Sequence, residues 1–273
     1  MYFLFKREPA VMRNIVWRAQ KIIDHKAEIP RLNNFADRLD AIAGGASKTV
    51  DHPRIVRAAE LLHSTVGTTL GRFVSLGLRN RSKNIVALSS EFLNYDSSIL
   101  DLGCGDGEVG RLLSLQGHAV TLCDVLDYRK SEVLPFQLYD GKSLPFENDS
   151  FDYVLLLTVL HHSDDPRLVM REALRVARES VIIIESVYFN ETHRKINSFF
   201  DWFYNRVLND PNINVPLNFL TPNAWLKFFE YSGGKAVHME HLGINEPLVP
   251  EWHTLYVVKP TLDNHQANAR SFR

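Results

Sequence analysis

Three acidic residues stand at the ends of short apolar runs: Asp124 and Asp140 close theirs, and Asp101 sits inside the end of its own, two residues before Gly103-Cys104-Gly105-Asp106-Gly107. Ser98 to Leu102 has the length and apolarity of a buried strand, and a helix is expected from about Glu108 to Gln116. A strand, a glycine turn and a helix start make a cradle, because glycine lets backbone approach a ligand and the helix start presents free N–H groups. Gly105-x-Gly107-x-x-Gly110 also satisfies the dinucleotide pattern, which alone is weak support. A dinucleotide explains Asp124 but leaves Asp101 and the segment Asp140 to Phe146 without a purpose. Three carboxylates at one sheet edge repel a pyrophosphate. They suit a ligand with an ammonium facing Asp101, ribose hydroxyls on Asp124 and an exocyclic amine on Asp140.

S-adenosylmethionine is such a ligand: its one anion is a carboxylate, and its sulfonium adds a second positive charge. The ordered segments Ile99-Leu-Asp-Leu-Gly-Cys-Gly-Asp-Gly107, Asp140-Gly-Lys-Ser-Leu-Pro-Phe146, Ser150-Phe-Asp-Tyr153 and Val159-Leu-His-His162 resemble the successive motifs of class I S-adenosylmethionine-dependent methyltransferases. The resemblance spans residues 98–187 and, more weakly, a strand pair near the C-terminus. It implies a Rossmann-like, doubly wound α/β fold whose mostly parallel sheet has seven strands, the last pair being Lys235 to Leu242 and His253 to Val258. It also implies methyl transfer that yields S-adenosylhomocysteine. By this likeness Asp101, Gly103, Cys104, Gly105 and Gly107 surround the methionine portion, Asp124 and Val125 the ribose, Asp140, Gly141 and Lys142 the adenine, and Thr158 borders the cofactor. Cys104 is expected to fill space in the loop and not to act as a nucleophile. Only ten residues separate Asp124 from Pro135, so the usual helix after the second strand is expected to be very short or absent.

Methyl transfer from a sulfonium is an in-line displacement, in which holding nucleophile, methyl and sulfur collinear supplies much of the rate. A general base is needed only where the nucleophile must lose a proton. His161 and His162 are the first candidates for catalysis, since their loop lies at the carboxyl ends of the strands, where open α/β sheets bind ligands. Glu185 and Tyr188 leave the fifth strand at the same edge. Residues 188–231 hold 12 of the chain's 29 aromatic residues, a concentration that suggests a lid over an apolar or aromatic acceptor. Trp202, Phe203 and, ahead of the last strand, His253 are the candidate acceptor contacts. Single rings among them are as readily explained by packing. His193, His238 and His241 have no convergent spacing, and no metal site is expected.

The elements that must position these groups follow from periodicity. Strands are expected at His118 to Cys123, Leu134 to Tyr139, Phe151 to Thr158 and Val181 to Ile184, with a helix at Arg167 to Ala177. Residues 1–94 contain helical runs and carry 15 Lys+Arg against 8 Asp+Glu, while the whole chain of 273 residues has a net charge of -1. The division expected is therefore an N-terminal helical cap over 1–94, a methyltransferase domain over 95–262 with the 188–231 lid, and a polar tail over 263–273. The basic cap leaves an RNA (tRNA) methyltransferase as an alternative, and an inactive cofactor-binding scaffold is another. Near-neutral charge gives no overall drive toward nucleic acid, so a small acceptor is favoured. The longest apolar stretch, Tyr153 to Leu160, is far short of the roughly 20 residues of a membrane span. Two cysteines fit a reducing cytoplasm. A homodimer through the N-terminal helices is one possible assembly.

Overall fold

The computed structural model describes residues 81–209, 213, 215–244 and 251–261, with 57, 61, 64 and 65 besides. The expected helices over 1–80, apart from those four residues, and the 263–273 tail lie outside the described residues.

Seven strands form one sheet in the order β3-β2-β1-β4-β5-β7-β6. They are β1 (Ser98–Leu102), β2 (Ala119–Asp124), β3 (Phe136–Leu138), β4 (Phe151–Leu157), β5 (Ala177–Val187), β6 (Gly234–Gly243) and β7 (Trp252–Pro260). The first five run parallel, and β7 lies antiparallel between β5 and β6. The order turns back at β1, whose neighbours β2 and β4 lie on opposite sides. That switch point is where open α/β sheets receive ligands.

Alternation along the central strands supplies both faces. Leu100, Val154, Val181 and Ile183 face a layer containing α3 (Pro166–Val176) and α5 (Pro222–Tyr231), through Met170, Leu174, Trp225 and Phe229. Ile99, Leu155, Ile182 and Ile184 face the other way, against α1 (residues 81–89) and α2 (Glu108–Ser114), through Ile85, Val86 and Leu113. Burial on both faces is why these strands are continuous apolar runs and not alternating ones.

Helix α3 begins at Pro166, with Asp165 accepting a capping bond from the Leu168 N–H, and it ends one residue earlier than expected. Ala177 already pairs with Phe151, so β5 is eleven residues long and the expected Val181 to Ile184 is only its centre. Between β2 and β3 the chain crosses without a helix, as the short spacing foretold. The aromatic segment after β5 opens as α4 (Glu191–Trp202), capped by Asn190, and widens into π-helical turns over Phe203–Asn209. Phe203 and Tyr204 fall in the wider turns.

Candidate functional site

At the cofactor end the glycine loop turns back over the strand edge. The Gly103 and Cys104 N–H groups both donate to the Cys123 carbonyl of β2, which ties the loop down. Gly103 has φ +74, and a Cβ there would stand 2.6 Å from a Val159 methyl, so only glycine lets the β4 loop close over it. Gly110 is equally crowded, with Leu122 at 2.4 Å from an added Cβ. A Cβ at Gly105, by contrast, would face open space.

Asp101 is buried beneath this loop, and its Oδ2 accepts from the Gly110 N–H at 3.1 Å. Burial pushes its carboxyl from the usual 3.8 up to about 7, opposed by the Gly110 bond and reinforced by the neighbouring charges of Asp124 and Asp106. Asp124 at the end of β2 accepts from the Gly105 N–H at 2.9 Å and from the Val125 N–H at 2.7 Å. Its carboxyl is also raised by burial, with those two backbone bonds pulling it down. Asp140 differs from both. It is exposed, accepts from the Lys142 and Ser143 N–H groups through Oδ1, and is held below the usual range by those bonds. Gly141, φ +76, makes that turn possible, and Val125 is largely exposed opposite it. Cys104 and Cys123 are both buried, and burial raises both thiols, Cys123 to about 12; neither is suited to nucleophilic work.

The segment that replaces a helix after β2 is fastened to the glycine loop. Lys130 Nζ meets Asp106 Oδ2 at 2.6 Å, and the Lys130 N–H donates to the Asp106 carbonyl. Arg129 pairs with Asp127 and lies 4.2 Å over the Phe136 ring. From the other side, α1 brings Arg81, whose Nη2 donates to Thr158 Oγ1 at 3.0 Å.

At the far end of the same edge, four titratable side chains meet. Glu185 is fully buried in β5: its Oε1 accepts from the Val159 and Leu160 N–H groups, and its Oε2 lies 2.6 Å from His161 Nδ1. Asp201 of α4 completes the group, with His162 Nε2 at 3.3 Å and His161 Nε2 at 3.7 Å from its Oδ1. The longer separation is that of an ion pair and exceeds a hydrogen bond. Asn205 Nδ2 donates to the same oxygen at 2.8 Å. Burial pushes the His161 imidazole down, but Glu185 and Asp201 outweigh it and hold it well above its ordinary value. Burial likewise pushes Asp201 up, and the two imidazoles with Asn205 outweigh that, so it lies below the usual carboxylate range. His161 therefore sits between two carboxyl groups that favour its protonated form, and His162, less buried, is the outer imidazole. His161, His162 and Asp201 also stand close enough to hold a metal ion; the hydrogen donors gathered on Asp201 account for the arrangement without one.

The lid is sewn to this cluster. Phe219 stacks on His161 at 5.0 Å, the Asn218 N–H donates to the His161 carbonyl, and Tyr188 N–H donates to the Leu220 carbonyl. Trp202 is buried in a small apolar cluster with Val207 and Val215, to which Phe203 packs, and His253 is buried within β7 opposite Ser186. These three candidate acceptor contacts thus stand in packing positions. Asp201 and Arg81 were not foreseen. Asp201 sits among rings forty residues beyond the histidines, where no spacing rule applies. Arg81 gave a signal, since it falls on the apolar stripe with Ile85 and Leu88.

Residues 100–184 match a family described as a methyltransferase domain. With the sheet order and the glycine loop, this places within the chain a methyltransferase domain of the class I, S-adenosylmethionine-binding fold. Among curated proteins it is 32% identical over 99 residues to 27-O-demethylrifamycin SV methyltransferase of Amycolatopsis mediterranei, covering 32% of this chain and 36% of that enzyme. The chain thus spans about a third of that relative's length. It is 28% identical over 191 residues to demethylmenaquinone methyltransferase of Thermotoga maritima, covering 60% of this chain and 81% of that one. Its fold is that of Burkholderia thailandensis 1,6-didemethyltoxoflavin-N1-methyltransferase, solved with bound 1,6-didemethyltoxoflavin and S-adenosylhomocysteine, at TM-score 0.51, 16% identity, 75% of this chain and 89% of that chain. No helix among the described residues is long and apolar enough to cross a membrane.

Proposed function

We propose that the chain methylates a small, partly apolar or aromatic acceptor whose attacking atom must shed a proton. One observation carries this reading: two histidines and two carboxylates meet beneath a lid at the carboxyl ends of β4 and β5. The cofactor supplies an activated methyl group when bound. Asp124 accepts from its ribose hydroxyls, with Val125 alongside, and Asp101 and the Gly103 to Gly107 backbone surround its methionine portion. Asp140, Gly141 and Lys142 border its adenine, and Thr158 lies between cofactor and acceptor. Open space at Gly105 beside the Asp124 carboxylate fits such a nucleoside.

Catalysis by the chain's own groups then has two parts. Glu185, bonded to two backbone N–H groups, fixes His161, and the His161 cation holds Asp201 ionised against His162. His162 takes the proton of the acceptor's O–H or N–H as that atom attacks, and Asp201 stabilises the imidazolium that results. Tyr188, half-buried where β5 meets the lid, Trp202, Phe203 and His253 support the acceptor pocket, directly or by packing its walls. The same proposal divides the chain into a cap over 1–94, the methyltransferase domain over 95–262 and a tail over 263–273. It places the chain in a reducing cytoplasm, where both thiols stay free.

Methyl-labelled S-adenosylmethionine incubated with fractionated extract tests this. Label is expected in a small organic-soluble product, and its formation should fall at least tenfold in Asp201→Asn with S-adenosylhomocysteine affinity kept. Label entering RNA or protein alone would overturn the acceptor class.

A further inference from the structure

The bonds that hold the histidine cluster together without an ion use only one oxygen of Asp201. His161 Nε2, His162 Nε2 and Asn205 Nδ2 all converge on Oδ1, while Oδ2 is buried with no hydrogen-bond partner. An ionised carboxylate accepts at both oxygens, and Asp201 is only 4% exposed, so solvent does not serve the second one.

The spacing of the cluster is also that of a coordination sphere. An ion bonded to nitrogen and oxygen at about 2.0–2.1 Å in tetrahedral geometry holds neighbouring donor atoms about 3.4 Å apart. His162 Nε2 lies 3.3 Å and His161 Nε2 3.7 Å from Asp201 Oδ1, and the three donors fall within 4.8 Å of one another. The support behind them has the same character. His161 turns Nδ1 to Glu185 Oε2 at 2.6 Å, and Glu185 in turn accepts from two backbone N–H groups. A carboxylate behind a histidine fixes the ring and strengthens its other nitrogen as a ligand. The two histidines come from one short turn, Leu160–His162, and Asp201 comes from α4, so an ion held by all three would join the β4 loop to the lid.

We propose that His161, His162 and Asp201 bind one divalent transition-metal ion of the class of Zn2+, Co2+ or Ni2+. Two imidazoles and a carboxylate suit such ions, whereas Mg2+ and Ca2+ take oxygen donors. A ligating nitrogen carries no proton, so the ion displaces any proton held there. It then occupies the His162 nitrogen that would take the acceptor's proton. The site stands on the geometry; its consequence, a halt to methyl transfer, rests on the reading of His162 as the base.

Tag-free, full-length protein stripped of metal by a chelator tests both. Co2+ is expected to bind once per chain with the visible absorption of a four- or five-coordinate ion. Zn2+ should displace it with a Kd of about 1 μM or tighter, and Mg2+ should leave the absorption unchanged. Asp201→Asn and His162→Gln should each abolish the absorption and weaken Zn2+ at least about tenfold, and Glu185→Gln should weaken it roughly 10- to 100-fold. His162 is the least buried of the three ligands, so its variant keeps the test readable if Asp201→Asn fails to fold. Absorption that persists in His162→Gln would place the ion on other residues and overturn the site. So would its absence from the wild type, or displacement of Co2+ by Mg2+. Methyl transfer should stop as the site fills. Transfer that continues with the ion bound would instead remove His162 as the base and leave the site standing.

Discussion

Replacing Asp101 with asparagine should make the ligand-free protein more stable and a poorer binder of its cofactor. The wild-type carboxyl titrates at about 7, against 3.8 for an ordinary aspartate. That displacement corresponds to about 4 kcal/mol between the two protonation states. The sign follows from proton counting. Below about pH 4 both folded and unfolded chains hold the proton, and the residue contributes no pH dependence. As pH rises toward 7 the unfolded chain releases a proton that the fold retains, so stability falls; above 7 the loss is complete. An asparagine carries no such charge, and its Oδ1 can still accept from the Gly110 N–H. Its new NH2 group needs a partner of its own, so the net gain at pH 8 is about 1–3 kcal/mol, a rise of a few degrees in Tm. The cofactor's ammonium, however, requires the ionised form, so S-adenosylhomocysteine affinity should drop in the variant. In the wild type it should strengthen between pH 6 and pH 8. Thermal melting and calorimetry across pH 4–8 decide the matter. A variant that is less stable at pH 8 and binds the ligand normally would refute the reasoning.

Three further outcomes are expected. Asp124→Ala should weaken S-adenosylhomocysteine binding roughly 10- to 100-fold through the lost ribose hydrogen bonds, and calorimetry that finds equal affinities would remove the ribose assignment. Gly103→Ala should cost about 1–3 kcal/mol in urea denaturation, because a left-handed backbone and a Val159 methyl 2.6 Å away both oppose a Cβ. Both cysteines should resist a thiol reagent at pH 8 until the protein unfolds, since burial raises both thiols; rapid labelling of native protein would contradict that.

Much of the cofactor half was legible because it is local. Strand, glycine turn and helix follow one another within about twenty residues, and Asp101 and Asp124 stand at or next to the ends of β1 and β2, so short-range spacing already places them. The missing helix after β2 was legible for the same reason. The lysine that fastens the resulting strap to Asp106 was not, since an exposed Lys130 looks like any other surface charge. The acceptor half depends on distant pairings. Glu185 and the His161 loop were legible as lying at one sheet edge, but Asp201 joins them only after α4 folds back, and its sequence surroundings suggest a ring cluster. Trp202 and Phe203 were singled out for their chemistry, and the structure uses them in packing. The length of β5 was underestimated because Arg178 and Glu179 look like a helix end; pairing of Ala177 with Phe151 overrides that local preference.

The strand Trp252–Pro260 is threaded between two neighbours that precede it in the chain, and nearly all of it is buried. During synthesis β5 and β6 must therefore wait with their facing edges unpaired, while β1 to β4 can already assemble from a contiguous 60-residue stretch. Unpaired edges invite association with other chains. The nascent protein is consequently most prone to aggregation in that interval, and a premature stop just before Trp252 would leave the nucleoside half formed and the acceptor half open.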